Sequence, residues 1–471
     1  MTQTSLPPFD DGAAAHAEAA TRPHFLLLTC LVLLGVSIIA LATVWENHTL
    51  KSEPWKDALL VLGTDPIWDE ALPVLRRKLP DENFPPKSSL LEQLETTDDG
   101  KIAAELLGLN LRESVVYAEF DTTVLESVLA SGHLPTPGSS GVLAGPLCRV
   151  DSFVMDGQRF EVTGILKGGS AGLLFSFLLP KAAAFDSMFD DHPEALKGWY
   201  APHGQTDHPD WRDELEPLLK SEDASLVMPM VYVSRAPAIL AIAGLLLVIV
   251  ASAILQLRLV EWTSRNVAAL RPLTRMFQTH RTLLFAVHVS TYAALMIPMM
   301  AALAFPHMHL QVLQFVTEIF TQGELKSLGD AYISKNVAAA TWQTWRNNFV
   351  VQTFATVLLP GFVPLLGTAL GYGKMLLSLA VAGFALCPNW AGIMAGYTYH
   401  SITVAIEVEA YTIALFVIVA YAIGMIKWIL FRDRHAGIQS LQGLATGIVF
   451  IGLWLALAAA YESLTLIYIP Q

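Results

Sequence analysis

The sequence predicts an α-helical integral membrane protein of about seven spans with an inserted extracytoplasmic α+β domain. Three observations carry that expectation. Apolar runs recur at about the hydrocarbon thickness of a bilayer, an acidic block of soluble composition separates the first two of them, and arginines gather in short connections. Of 471 residues 53% are hydrophobic and 15% charged, and the mean hydropathy is +0.47. A disordered or purely soluble chain does not have that balance.

Residues 1–24, rich in Ala, Pro and Asp at their start, read as a disordered cytoplasmic tail. Residues 25–44 carry no charge and span roughly 30 Å as a helix. A cleavable signal peptide fits them less well. The lead-in sets only Arg22 against Asp10, Asp11 and Glu18, and Leu-Ala-Thr-Val-Trp is a poor small-residue cleavage site, so a retained anchor is expected.

Residues 45–234 form the acidic block. Glu46 to Ser234 holds 31 acidic and 15 basic residues. Nucleic-acid binding is excluded, because phosphate contacts need clustered Lys and Arg. Trp68 to Leu79 places apolar residues at helical spacing, whereas Ser114–Phe120 and Phe153–Leu166 are β-rich. Asp156-Gly157 lies between two alternating runs and suits a type I′ hairpin turn, whose two central residues both need positive φ.

Further apolar runs follow at 236–257, 283–305, 349–372, 375–395, 410–431 and 441–461. The first two make a pair of spans within 235–306, joined by an arginine-rich cytoplasmic loop. Residues 307–348, with Trp342 and Trp345, read as an interfacial amphipathic segment, and 349–466 as a helical bundle. Pro360, Gly361 and Pro364 predict a broken or re-entrant span. Arg258, Arg265, Arg271, Arg275 and Arg281 are opposed only by Glu261, and Arg432 and Arg434 mark a second loop. Both loops are expected in the cytoplasm, as is Lys374 in a tight turn between two spans. Alternation then puts the N-terminus inside and the acidic domain and C-terminus outside.

Chemistry-bearing patterns are few. Cys30, Cys148 and Cys387 are scattered, giving neither a disulfide framework nor a thiolate metal site. His307/His309 and His203/His208 have no third ligand at a metal-site spacing, and His280 and His288 read as a loop residue and a polar contact between helices. Gly138-Ser-Ser-Gly141 reads as a loop rather than a nucleophile elbow. Gly367 to Lys374 superficially suggests a phosphate loop, but its spacing is wrong and Met375 stands where Ser or Thr is needed. Gly367/Gly371 and Gly392/Gly396 instead have the four-residue spacing that lets helices approach closely.

The stretch from Tyr399 to Tyr411 is different, because it sets His400, Glu407 and Glu409 against or inside an apolar helix. Each unpaired ion there costs about 2.5–3.5 kcal/mol on insertion scales. In a helix His400 and Glu407 share a face, which can join a polar seam with Asn347, Asn348 or Lys374. Glu409 projects to nearly the opposite side, toward a partner chain or the surface. The plainer reading starts the helix near Glu407 and leaves both glutamates at its interfacial, dipole-positive end.

Trp345-Arg-Asn-Asn-Phe349, Pro360-Gly361, Gly371-Tyr-Gly-Lys-Met375, His400 and Glu407-Val-Glu-Ala-Tyr411 together resemble the pattern of stage II sporulation protein M (SpoIIM-type) membrane proteins, over roughly 329–434. Gly371-Tyr-Gly stands where that pattern has Asn-Gly. Leu129-Ala-Ser-Gly-His-Leu-Pro135, Gly141-Val-Leu-Ala-Gly145 and the stretch Asp156 to Leu166 are similar to the periplasmic core domain of MacB/FtsX-type permeases, with His133 in place of the common Arg. These resemblances imply a non-catalytic, permease-like subunit of an ABC-type transport or envelope-remodelling assembly in the inner membrane. They imply a separate ATPase docking at Arg258–Arg281, an envelope partner for the periplasmic domain, a possible homo-oligomer and no cofactor. The competing expectations are a secondary transporter with a Glu407 or Glu409 relay, and a structural scaffold.

Overall fold

The computed structural model describes residues 11–50, 235–305, 309, 312, 316, 325–389 and 391–469 and, between the first two of these, 59–62, 72–78, 114–118, 125–126, 129–136, 139–145, 151–155, 157–166, 177–180, 196–201 and 225–227. Nine helices are named: α1 (Asp11–Leu50), α2 (Arg235–Asn266), α3 (Arg271–Thr279), α4 (Arg281–Ala304), α5 (Lys326–Ile333), α6 (Val337–Trp345), α7 (Leu366–Ala385), α8 (Ala391–Phe431) and α9 (Arg434–Tyr468). Six of them (α1, α2, α4, α7, α8 and α9) contain stretches long and apolar enough to cross a membrane.

Helix α8 is the hub. Ile413 to Ile418 are all fully buried, as a helix apolar on every side must be, and α8 touches α1, α2, α4 and α9. Close backbone approach brings the other helices together. A Cβ on Gly35 of α1 would stand 2.8 Å from the Gly244 carbonyl of α2. Helix α3 presses Leu273, Met276 and Phe277 into the same core, with Phe277 5.5 Å from the ring of Phe416.

Helix α6 runs on without a break into a π-helix (Arg346–Leu358) and a last turn (Leu359–Gly361), so residues 337–361 are one rod of 25 residues. Asn336 caps its start by accepting from the Ala339 amide at 3.1 Å. Its π geometry repeats in the side chains: the hydroxyls of Thr353 and Thr356 donate to the carbonyls five residues back, at 2.6 and 2.9 Å. Pro360 and Pro364 end the rod, and Leu365 turns the chain at a φ of 70°.

Several expectations are corrected by these boundaries. Residues 11–24 are helical rather than disordered, in keeping with the helix propensity of their alanines. The break falls at 361–365, so Lys374 lies inside α7 and not in a tight turn. Gly371 tolerates that helix because it packs against Val357, where a Cβ would meet the carbonyl at 2.9 Å. Similarly, the expected run 375–395 is interrupted after Ala385 near Pro388.

Between α1 and α2 lie ten strands: β1 (Leu59–Leu62), β2 (Leu72–Lys78), β3 (Ser114–Ala118), β4 (Leu129–Gly132), β5 (Gly141–Ala144), β6 (Ser152–Met155), β7 (Gln158–Leu166), β8 (Phe177–Pro180), β9 (Leu196–Ala201) and β10 (Ser225–Val227). They form one sheet in the order β10-β1-β9-β2-β3-β8-β5-β7-β4, with β6 paired to β7. The β3–β8 and β5–β7 pairings are parallel. The β6–β7 hairpin matches Met155 with Gln158 across a two-residue connection, and Gly157 takes a φ of 75°. Asp156 itself lies outside the described residues. Phe153 and Phe160 stack across this hairpin at 5.0 Å. The helical spacing of Trp68–Leu79 does not produce a helix there: Leu72–Lys78 is β2, paired on both sides by β3 and β9, and that pairing overrides local periodicity.

Candidate functional site

Helix α8 begins at Ala391, sixteen residues before Glu407, so neither glutamate sits at a helix end. The two carboxylates leave opposite faces of α8 and meet different partners. Glu409 is fully buried against α4 rather than turned to a partner chain or the surface. His288 Nε2 lies 3.1 and 3.3 Å from its two oxygens, and the Tyr292 hydroxyl donates to Oε2 at 3.2 Å. His288 and Tyr292 are one turn apart on α4 and meet edge to face at 5.6 Å.

The hydrogen bonds of His288 constrain its protons. Nδ1 lies 2.7 Å from the Leu284 carbonyl, which only accepts, so Nδ1 carries hydrogen. Nε2 then faces a carboxylate. Either the imidazole is charged and donates to Glu409, or Glu409 holds the proton and donates to Nε2, and in both cases one proton is shared across the α4–α8 contact. Removing it leaves a lone pair against a carboxylate in a largely buried site, where screening is weaker than in water. The contact is therefore attractive with the proton and repulsive without it.

Glu407 faces the π-helix. Asn348 Nδ2 donates to Glu407 Oε1 at 2.6 Å, and Asn347 Nδ2 donates to Asn348 Oδ1 at 3.1 Å, so the two amides form a directed chain onto one carboxylate. Glu462 of α9 is close enough for its charge to act on Glu407 and lies beside Tyr332, whose hydroxyl is 2.8 Å from Thr344 Oγ1. Thr403, one turn before Glu407, is 3% exposed and its hydroxyl has no hydrogen bond among the described residues. No family model, curated protein or solved structure matches this chain. The chemistry of these groups must speak for itself.

Of the expected seam, the structure brings together Asn347, Asn348 and Glu407. Two members do not join. Lys374 is exposed on α7 and makes no hydrogen bond or ion pair among the described residues, because the break lies nine residues before it and turns its part of α7 outward. His400 is half-buried, two turns from Glu407, and likewise has no hydrogen bond among the described residues. Sequence reasoning treated His288 only as an interhelical contact and gave Tyr292 and Glu462 no part. The available signal was an ionisable residue inside a long apolar helix, which applies to His288 as well as to Glu409.

Of the glycines expected at helix contacts, Gly367 and Gly371 are closely approached by the end of the π-helix rod, and Gly396 is buried. Among the arginines, Arg258 pairs with Glu261 at 3.2 Å, and Arg271 donates to the carbonyls of Ser264 and Arg265, both at 3.3 Å, closing the C-terminal end of α2. The guanidinium groups of Arg265, Arg275 and Arg281 are exposed and make no hydrogen bond among the described residues. Among those residues no three His, Cys, Asp or Glu side chains gather as metal ligands. Cys148, His203, His208 and His307 lie outside the described residues.

Proposed function

We propose that this chain is a multi-pass membrane protein that works as a secondary transporter, passing a proton through an intramembrane carboxylate relay. The observation that carries the reading is Glu409, wholly buried and held by His288 and Tyr292 from another helix. An ionisable group so deep in an apolar bundle is costly, and its usual return is function. Its proton decides whether α4 and α8 attract or repel, which is the property a gate needs. Glu407, fed by Asn347 and Asn348, is the second station on the opposite face of α8. The π-helix that supplies both amides and the breaks at 361–365 and after Ala385 are the kind of irregular backbone that transporters place beside their sites.

Six apolar helices and the 337–361 rod make seven passes. With the arginine connection inside, the N-terminus is cytoplasmic and the strand region extracytoplasmic, in a plasma or inner membrane. The test is proton entry into proteoliposomes holding the full chain, driven by an imposed membrane potential and read with a trapped pH dye. Wild type should conduct without nucleotide, and Glu409→Gln should fall to the protein-free baseline. Equal flux in wild type, Glu409→Gln and Glu407→Gln would refute the relay.

A second reading, a permease-like subunit served by a separate ATPase at Arg258–Arg281, is favoured by one observation. The helices flanking the strand region, α1 and α2, are locked together at Gly35 and Gly244, so motion at the arginine end of α2 passes directly to the chain leading into that region.

A further inference from the structure

Glu462 has no task in the relay so far, yet its charge acts on Glu407. Its place follows from the packing of α8 against α9. The two helices run antiparallel from the turn at Arg432, and a Cβ on Gly447 of α9 would stand 2.9 Å from Val417 of α8, which fixes their register. Away from the arginine turn, Glu407 comes ten residues from that contact along α8 and Glu462 fifteen along α9. By helix rise Glu462 is then roughly 7 Å farther out than Glu407. Side chains tilt toward the start of their own helix, so in this antiparallel pair Glu407 leans outward and Glu462 inward, each toward the other. Both emerge where the 337–361 rod covers the seam: Glu407 meets Asn348, and Glu462 meets Tyr332, which is hydrogen-bonded to Thr344 of that rod.

Thr403 stands between the two carboxylates in height. It lies fourteen residues from Val417, close to four whole turns, so it shares the direction of Val417 toward α9. The hydroxyls of Thr291 and Thr412 donate to the carbonyls four residues back, whereas that of Thr403 has no hydrogen bond among the described residues although the residue is 3% exposed. A buried hydroxyl left so is costly. In this position it is a group that can take a proton from one carboxylate while giving its own to the other. Neither Glu407 nor Glu462 pairs with a base among the described residues, so a proton held between them is what relieves their repulsion. Outward of Glu462 the path is short. Glu462 and Tyr332 are both half-buried, and Ser334, Lys335 and Asn336 just beyond Tyr332 are exposed.

We propose that Glu462 is the extracytoplasmic terminus of the relay and that the Thr403 hydroxyl passes the proton between it and Glu407. The inference rests on the relay reading above and on its orientation, in which α8 starts and α9 ends outside. In outward passage the Glu407 carboxyl gives its proton to Thr403 Oγ1 as the Thr403 hydroxyl gives its own to the Glu462 carboxylate. Glu407 is left charged, Glu462 neutral and the hydroxyl intact. Inward passage reverses each transfer.

Proton entry into vesicles holding the full chain, driven and read as for the relay itself, tests this. Thr403→Val removes only a hydroxyl that holds nothing, so it should keep the wild-type thermal unfolding profile. Its flux should fall about tenfold or more, the loss of one proton-transfer group. Thr403→Ser should conduct as wild type, and Glu462→Gln should fall as far as Thr403→Val. In a chain freed of Cys30, Cys148 and Cys387, Glu462→Cys should be silent. An impermeant carboxyethyl thiosulfonate added to right-side-out vesicles should put a carboxylate back and restore its flux, and an uncharged reagent of the same size should not. Wild-type flux in Thr403→Val or Glu462→Gln, with Glu409→Gln silent, would overturn the proposal and leave the relay standing. Silence of Thr403→Ser, or rescue of Glu462→Cys only from the cytoplasmic face, would do the same. Absence of flux from wild type, or undiminished flux in Glu409→Gln, would instead strike down the relay and the proposal with it.

Discussion

His309 shows what a single buried side chain contributes. It is 0% exposed, its Nε2 donates to the Ala385 carbonyl at 3.3 Å, and burial pushes its pKa down to about 4. In the unfolded chain the imidazole titrates near 6.5. Between those values the unfolded state binds more protons, so stability is complete above pH 6.5 and falls as the pH drops toward 4, by up to roughly 3 kcal/mol. Thermal unfolding of purified protein from pH 7 to 4 should show this loss in wild type and a flatter profile in His309→Gln; parallel profiles would refute it. The same scale shows the limit of sequence reading. Glu407 and Glu409 stood out because charge in an apolar run is visible in one dimension. The partner of Glu409 did not, because His288 is 121 residues away and no spacing encodes a contact between separate helices.

At the scale of elements, the apolar runs were legible, and so was the break at Pro360–Pro364, whereas the continuity of α7 through Lys374 was not. The spans of α2, α4 and α9 follow from hydropathy alone. A run such as 349–395 contains enough apolar residues for several divisions, and the actual one is set by Pro360, Pro364 and the turn at Leu365, with Gly371 and Gly373 kept inside a helix. The π-helix, which packs against α7, α8 and α9, was not read from the hydropathy pattern. The contact of α4 with α7 tests this view. A Cβ on Gly383 would lie 2.1 Å from the Leu295 carbonyl oxygen, a backbone atom that cannot step aside, whereas Gly373 on the same helix has open space around it. Gly383→Val should therefore destabilise by about 1–3 kcal/mol through overpacking. Gly373→Ala should be neutral or stabilising by up to about 1 kcal/mol through helix propensity. Unfolding midpoints in detergent separate the two, and equal midpoints would show that the close approach does not constrain α7.

For the whole molecule the deciding quantity is the parity of the passes. If α1, α2 and α4 cross in turn with the connection at α3 inside, Ala304 ends outside, and the route from there to Arg432 fixes everything downstream. Counting the 337–361 rod as a pass brings Pro360 inside, α7 back out and α8 in again, so that Arg432 and Arg434 meet the cytoplasm together with the five arginines from 258 to 281. Omitting the rod reverses α7, α8 and α9 and leaves Arg432 and Arg434 outside, against the bias that orients membrane helices. The rod is long enough, since 25 residues rise about 37 Å as an α-helix and somewhat less where it is π. Single cysteines in a chain freed of Cys30, Cys148 and Cys387 distinguish the two arrangements. A membrane-impermeant maleimide applied to intact cells should label Gln158→Cys in the hairpin and Tyr468→Cys at the end of α9, and should reach Arg275→Cys and His435→Cys only after permeabilisation. Labelling of His435→Cys from outside would remove the rod from the count. Protection of Gln158→Cys would place the acidic strand region in the cytosol and end the permease-like reading, while the Glu409 relay, which depends on contacts within the bundle, would keep its chemistry and reverse its direction.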